Sequence, residues 1–293
     1  MPTTKSIIFC DTPKFAVPSL EALIADSAFS VDLVITQPDK PVGRKQELTS
    51  PPVKKCAQSH GIFVAQPDNL NSDLSALESH NPDFLVTVAY GQILKEPILD
   101  LPNIASVNIH PSLLPHWRGA SPIQHAILAG DHETGVTLQE MTDELDAGPI
   151  LAQVTTVIEE RETATSLHDR LSTLSAQLLI DTLKKPLDPK PQDESQVTFC
   201  QKLTRKDGEV DLYAMTAEEI DRHVRALVPW PGVRGFFNGT ELKLIETSLK
   251  ETADSISVHC AGGSILHLVR LQPPGKKLMM GREWKRGMHR KET

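Results

Sequence analysis

The first 183 residues alternate short apolar runs with stretches of helical spacing. Apolar runs at 6–10, 31–36, 62–65, 84–89, 105–109 and 136–141 predict strands. The run at 84–89 is almost wholly apolar, as expected of a strand buried on both faces of a parallel sheet. Between these runs, Phe15, Leu20, Leu23 and Ile24 share a helical face. Residues 51–60 open with prolines suited to a first helical turn, and 121–129 predicts a third helix. Leu167, Leu171, Leu174, Leu178, Leu179 and Leu183 extend the helical period over 163–183. Alternation of this kind predicts an α/β chain with a Rossmann-like, doubly wound, mostly parallel sheet.

The pattern changes after residue 183. Residues 184–195, KKPLDPKPQDES, are rich in proline and charge and read as a linker. We expect a first domain over 1–183, a linker over 184–206 and a second domain over 207–293. The second domain predicts a helix at 217–227, a Pro-Trp-Pro-Gly turn, and short strands at 242–245, 255–259 and 265–271. A smaller C-terminal β-barrel of the oligonucleotide-binding (OB-like) kind fits this series. The stretch between Thr247 and Ile256 is short, so a reduced barrel is expected.

Composition narrows the class. The 293 residues suggest two domains, and no apolar run approaches the 18 residues of a membrane-spanning helix. The opening MPTTKSIIFC lacks a signal-peptide pattern. The cysteines Cys10, Cys56, Cys200 and Cys260 are scattered without metal or redox spacing, as expected of reduced thiols in the cytoplasm. No metal site is expected among the His residues. Residues 1–199 hold 14 Lys and Arg against 26 Asp and Glu, a balance of −12, whereas residues 200–293 hold 16 against 12, a balance of +4. A basic second domain suits a nucleic-acid contact, though ordinary surface variation gives the same balance. The first strand–helix turn, Cys10-Asp11-Thr12-Pro13, is not a G-x-G-x-x-G fingerprint, so the fold does not argue for a nucleotide cofactor.

Candidate chemistry concentrates in two stretches. In SVNIHPSLLPHWRGASPIQ (106–124), Asn108 and His110 stand two apart on one strand and face the same way. In MTDELDAGPIL (141–151), Asp146 sits against a Gly-Pro turn. On spacing alone these are either polar strand caps or a catalytic set. The long loop TQPDKPVGRKQELTS (36–50) carries Lys40, Arg44 and Lys45, and reads as a solvated linker or as an arm that touches phosphate.

Asn-x-His-Pro-Ser-Leu-Leu-Pro followed by Leu-Asp-x-Gly-Pro-Ile resembles the 10-formyltetrahydrofolate-dependent formyltransferases. The resemblance implies a catalytic Asn108, His110 and Asp146, with 10-formyltetrahydrofolate as formyl donor and no metal. It implies a folate site closed by Ser112, Leu113, Leu114 and Pro115 and read by backbone groups of Gln92, Ile93 and Leu94. Gln-Pro-Asp-Lys-Pro-x-Gly-Arg and Trp-Arg-Gly-Ala-Ser-Pro-Ile-Gln are similar to the methionyl-tRNA formyltransferase branch, whereas His110-Pro111 and residues 142–146 look closer to the ribonucleotide branch. The first similarity implies initiator methionyl-tRNA as partner, contacted by Lys40, Arg44, Lys45, Lys202, Arg205 and Lys206 in a monomeric enzyme. The alternatives are a formyltransferase for a small amine, such as glycinamide ribonucleotide or an amino sugar nucleotide, and a binding protein that has lost catalysis. In this family Gly-Thr-Pro is usual at the first turn, and here Asp11 replaces the glycine. A left-handed backbone at that position would carry a modest cost.

Overall fold

The computed structural model describes residues 4–43 and 45–289. The chain divides into two compact units. One comprises Met1–Gly119, Glu133–Thr156 and His168–Phe199, the other Ala120–His132, Val157–Leu167 and Cys200–Thr293. In order, the elements begin with β1 (Lys5–Cys10), α1 (Val17–Ala25), β2 (Phe29–Ile35), β3 (Lys40–Val42) and β4 (Glu47–Thr49). They continue with α2 (Pro52–Ser59), β5 (Val64–Ala65), β6 (Phe84–Thr87), β7 (Ala105–His110), β8 (Arg118–Gly119) and α3 (Pro122–Ala129). Next come β9 (Glu133–Glu140), β10 (Ile150–Val157), α4 (Ala164–Leu183), β11 (Phe199–Cys200) and α5 (Ala217–Leu227). The last are β12 (Val233–Phe237), β13 (Thr240–Ser248), β14 (Ile256–His259), β15 (Ile265–Gln272), β16 (Met279–Met280) and α6 (Gly281–His289).

The first unit is built on a seven-stranded sheet in the order β10-β9-β7-β6-β1-β2-β5. β1 pairs in parallel with β2 and β6, β2 with β5, and β6 with β7, while β9 runs antiparallel to β7. The apolar runs explain this order. Ile7, Ile8 and Phe9 of β1, and Phe84, Leu85 and Val86 of β6, are fully buried, as strands covered on both faces must be. From β1 the chain winds to β2 and β5 on one side, then returns to β6 and β7 on the other. The topological switch therefore lies between β1 and β6, the place where open α/β sheets bind ligands beyond their strand ends. α1, α2 and α3 each carry proline in the first turn, where its missing N–H has no partner to lose.

Two features differ from expectation. Residues 36–50 are not structureless, because β3 and β4 pair as an exposed hairpin. β10 has no counterpart among the expected strands. It lies on the sheet edge with no fully buried position, so it lacks the apolar run that marks the inner strands.

The second unit contains an antiparallel sheet in the order β12-β13-β15-β14, with β16 also on β15. β12 and β13 join through Asn238-Gly239, both at positive φ (48° and 72°), the geometry of a tight hairpin turn. Among the described residues this strand pairing makes a separate C-terminal sheet. Thr216 and Glu219 form a reciprocal capping box at the start of α5, and those bonds hold the Glu219 carboxyl below the usual range. Asp221, 1% exposed on α5, accepts from Arg161 Nη1 (2.9 and 2.8 Å), Arg225 Nε (2.9 Å) and Thr247 Oγ1 (2.8 Å). Removing Asp221 strands the mostly buried Arg225, whereas Arg161, 49% exposed, keeps access to water. Asp221→Ala should therefore lower stability by about 3–5 kcal/mol in urea unfolding followed by circular dichroism, and a loss below about 1 kcal/mol, the scale of an exposed pair, would deny the cluster that role.

Candidate functional site

The structure brings Asn108, His110 and Asp146 together at the carboxyl end of β7. The antiparallel register sets Asn108 opposite Gln139 and His110 opposite Thr137. Directly opposed side chains share a face, so two strands supply four polar groups to one side of the sheet. Asp146 arrives from the turn that follows β9, with φ at +54°. Gly148 makes that turn possible, since a Cβ there would lie 1.7 Å from the Glu140 carbonyl oxygen.

Asp146 is the hub. Its side chain is 9% exposed. Oδ1 accepts from Gln139 Nε2 (3.1 Å) and Asn108 Nδ2 (3.4 Å), and lies 3.6 Å from His110 Nδ1. Oδ2 accepts from the Gly119 N–H at 2.8 Å. His110 Nε2 stands 2.9 Å from the Trp117 carbonyl oxygen. A carbonyl only accepts, so Nε2 carries a proton and Nδ1 is the nitrogen aimed at the carboxylate. One Asn108 amide hydrogen points toward Asp146, and the amide has a second to offer elsewhere.

Three residues of this site carry no sequence signal strong enough to single them out. Gln139 is hidden inside an apolar strand. Gln192, within the stretch expected to be a linker, donates from Nε2 to the carbonyls of Asp146 (2.9 Å) and Gly148 (2.8 Å). Its Oε1 accepts from Arg118 Nε (3.0 Å) and Nη2 (2.8 Å). Arg118, 2% exposed, also pairs with Glu194 at 2.7 Å. An arginine in a Trp-Arg-Gly-Ala turn is the one available hint.

The other expected residues are placed as follows. Ser112–Pro115 is clamped by Thr137, whose hydroxyl donates to the Ser112 carbonyl (2.7 Å) and accepts from the Leu114 N–H (3.0 Å). Leu114 is buried, and Leu113 and Pro115 are half-buried. The Gln92 side chain holds a neighbouring turn through the Leu70 N–H (3.0 Å) and the Asp68 carbonyl (2.9 Å). The Ile93 carbonyl accepts from Asn71 (2.8 Å), the Ile93 side chain is 66% exposed, and Leu94 is buried beside Leu70 and Tyr90. Nearby, Gln37 Nε2 and the Tyr90 hydroxyl are buried with no hydrogen-bond partner among the described residues. Lys40 and Lys45 are exposed on the hairpin, beside the exposed Val42 and Leu48. Arg44 lies outside the described residues. Lys202, Arg205 and Lys206 are exposed in the second unit, the last two on one 3-10 turn capped by Thr204 and Asp207. Asp11 does not adopt a left-handed backbone, so the anticipated conformational cost does not arise. No group of three or more His, Cys, Asp or Glu among the described residues is placed to hold a metal. No helix among them is long and apolar enough to cross a membrane.

Residues 4–183 match the formyl transferase family, and residues 202–289 match the formyl transferase C-terminal domain. A methionyl-tRNA formyltransferase from Halorhodospira halophila is 42% identical over 286 residues, covering 92% of each chain. One from Methylococcus capsulatus is 42% identical over 296 residues, covering 95% of each. Among solved structures, the N-formyltransferase from Helicobacter canadensis in complex with folinic acid and dTDP-3-aminofucose superposes with a TM-score of 0.67. The superposition covers 92% of this chain and 100% of that one at 19% identity, a likeness of fold.

The Arg118–Gln192 relay yields a test. Gln192→Ala orphans the Asp146 carbonyl and removes an acceptor from a buried guanidinium. It should cost about 1–3 kcal/mol of stability, read as a lowered urea midpoint. An unchanged midpoint would mean that water or Glu194 replaces the amide fully.

Proposed function

The chain belongs to the formyl transferase family, and from that premise we propose that it transfers a formyl group from 10-formyltetrahydrofolate to the α-amine of initiator methionyl-tRNA. The product is formylmethionyl-tRNA for translation initiation. The observation that carries this reading is the convergence of Asn108, His110 and Asp146 within 3.6 Å at the sheet's carboxyl edge.

Formyl transfer needs three things of these residues. The neutral amine attacks the formyl carbon, and charge develops on the carbonyl oxygen. The Asn108 amide donates to that oxygen, and one such donor is worth about 10²–10³ in rate. The amine must then lose a proton while the folate nitrogen gains one as its bond to carbon breaks. His110 and Asp146 handle both transfers as a pair, with the carboxylate and the Trp117 carbonyl fixing the ring between them. The net reaction consumes no proton, so one imidazole suffices as both acceptor and donor.

The donor's place is read from the same unit. Ser112–Pro115, held by Thr137, forms one wall. The exposed Ile93 side chain offers an apolar surface to a pteridine ring, and the unpartnered Gln37 amide and Tyr90 hydroxyl stand near that segment. The hairpin favours tRNA over a small amine. A small substrate gives no reason for an exposed ribbon bearing Lys40, Lys45, Val42 and Leu48. In the second unit, Lys202, Arg205 and Lys206 add positive charge, and its sheet takes the part of the oligonucleotide-binding module.

The deciding assay follows transfer from 10-formyltetrahydrofolate to methionyl-initiator tRNA, with glycinamide ribonucleotide and an amino sugar nucleotide alongside. Transfer to the tRNA alone is expected, and transfer only to a small amine would overturn the substrate assignment. His110→Ala and Asp146→Asn should each lower turnover by about 10²–10⁴, and Asn108→Ala by about 10²–10³. Near wild-type turnover in any of them removes that residue from the mechanism. Replacing Lys40 and Lys45 together by Ala should weaken tRNA use. It should also reduce the slope of log affinity against log salt by about one for each phosphate no longer neutralised. An unchanged slope would place the tRNA elsewhere.

A further inference from the structure

Asp11 stands at the switch point of the sheet, where the chain puts a carboxylate in place of the glycine usual at this turn. It is fully buried, immediately after β1. Oδ1 accepts from the Thr12 N–H at 2.7 Å, and the Ala89 N–H points at both oxygens, 3.3 Å from Oδ1 and 3.2 Å from Oδ2. The carboxylate thus bridges the carboxyl ends of β1 and β6, which neighbour each other in the sheet. β6 in turn neighbours β7, with Thr87 beside Asn108. The tether also lies at the root of the segment that runs through Tyr90 to Leu94. Thr12 adds a second tie, since its hydroxyl donates to the Tyr90 carbonyl at 3.3 Å and accepts from the Gln37 N–H at 3.2 Å.

We propose that Asp11 is a positioning residue, whose buried carboxyl group clamps the backbone at Thr12 and Ala89 and so sets the 88–94 segment for the folate donor. This rests on the placement of the donor argued under the proposed function. Two independent features support it. The first is the geometry, in which one side chain occupies amides at the crevice where doubly wound sheets bind ligands. The second is that the fold keeps this carboxyl at a cost. Burial pushes it up to about 7, against the lowering effect of its bonds to the Thr12, Ala89 and Val88 amides. An acid raised in the folded state contributes most to stability below its unfolded value near 4, and that contribution is lost as pH rises through about 7. The clamp is therefore firmest while the carboxyl holds its proton and loosens as it ionises.

The groups around Asp11 leave it as the titrating one. Cys10 beside it is pushed up by burial and by Asp11 itself, and Tyr90 by burial and by Cys10, so both stay neutral between about pH 6 and 8. Ile35, Thr36 and Gln37 at the end of β2 carry no charge, nor does Val53 of α2, whose N–H donates to the Thr12 carbonyl. Lys54, next to Val53 on α2, is committed to Asp39 at 2.9 Å. With Oδ2 protonated, Oδ1 still accepts from both the Thr12 and the Ala89 amides.

The test uses the full chain as wild type, Asp11→Gly and Asp11→Asn. Amide exchange over residues 86–94, corrected for intrinsic rates, is measured at about pH 6 and about pH 8, on either side of the value near 7, with the Kd for 5-formyltetrahydrofolate at the same two values. In wild type, protection should fall and Kd should rise about tenfold on going from the lower pH to the higher, because opening the clamp frees a carboxyl that gives up its proton more readily in water than in the fold. Asp11→Gly should show the weaker values at both pH values and Asp11→Asn, which stands in for the protonated acid, the firmer ones, while exchange in β7 and β9 stays that of the wild type. Wild-type protection and Kd in Asp11→Gly, or a pH dependence that survives in either variant, overturns the proposal. Exchange that rises throughout the first unit in Asp11→Gly assigns Asp11 to general stability and overturns it too. If wild type shows the pH-linked protection but does not bind the folate at either pH, the donor assignment fails, and with it the link from clamp to ligand.

Discussion

The architecture of the first unit turns on one requirement, that a nearly buried carboxylate at Asp146 be satisfied on every side. An ionised group in a water-poor site costs several kcal/mol unless donors surround it. Here they come from three separate places along the chain. Asn108 and Gln139 reach it from neighbouring strands and Gly119 from β8, while the His110 ring lies 3.6 Å away at the strand end. Each fixes something else in turn. The β7–β9 register must bring Asn108 opposite Gln139. A slip of one residue would send both to the other face. The turn at Asp146 must adopt a left-handed backbone and pass close to Glu140, which only Gly148 allows. Gln192 must return to brace the same turn from a stretch distant in sequence. The sheet order, the antiparallel strand and the return of the chain near residue 192 are mutually consistent because they serve one group.

The same logic explains why the site sits where it does along the sheet. Strands β1, β6 and β7 end in a row, with Cys10 beside Thr87 and Thr87 beside Asn108. Beyond that row the apolar core gives way to polar side chains held by backbone amides and carbonyls. Two carboxylates mark the two ends of this edge, Asp11 at the switch point and Asp146 at the antiparallel strand. Their surroundings differ in kind. Asp11 meets only backbone donors and burial dominates, whereas Asp146 meets an imidazole and two side-chain amides. One edge thereby offers a group tuned by desolvation and another embedded in a proton-bearing network, in a single layer of structure.

Most of the sheet is legible in the sequence because burial on both faces leaves unmistakable apolar runs, as at 6–10 and 84–89. The Asn108–His110 pair is legible for the opposite reason, two polar residues at strand spacing in an apolar run. What cannot be read are features created by distance. Gln139 looks like any polar position in a strand until its register with Asn108 is known. Gln192 sits in a Pro-rich, charged stretch whose composition says linker, although its side chain closes the network around Asp146. β10 lacks an apolar run because it lies at an edge, and β3–β4 resembles a loop because every residue in those strands is exposed. The Asn-Gly turn between β12 and β13 is a local hairpin signal that the strand pattern alone passes over.

The network around Asp146 is better understood as a device for position than for stability. Ion pairs and amides buried in place of aliphatic side chains rarely gain net free energy, since desolvation consumes most of the attraction. An apolar site of equal volume would hold these strands together as well. It would not hold an imidazole with one nitrogen against a carbonyl and the other toward a carboxylate. Nor would it leave an amide hydrogen of Asn108 available on the open side. Arg118 illustrates the point. It is almost fully buried, yet its partner Glu194 is 71% exposed, so the pair sits where screening weakens it. Its stronger consequence is to orient Gln192, and through that amide the carbonyl of Asp146. Rigidity of this kind holds catalytic groups where charge will develop, so that little reorganisation is needed when the reaction occurs.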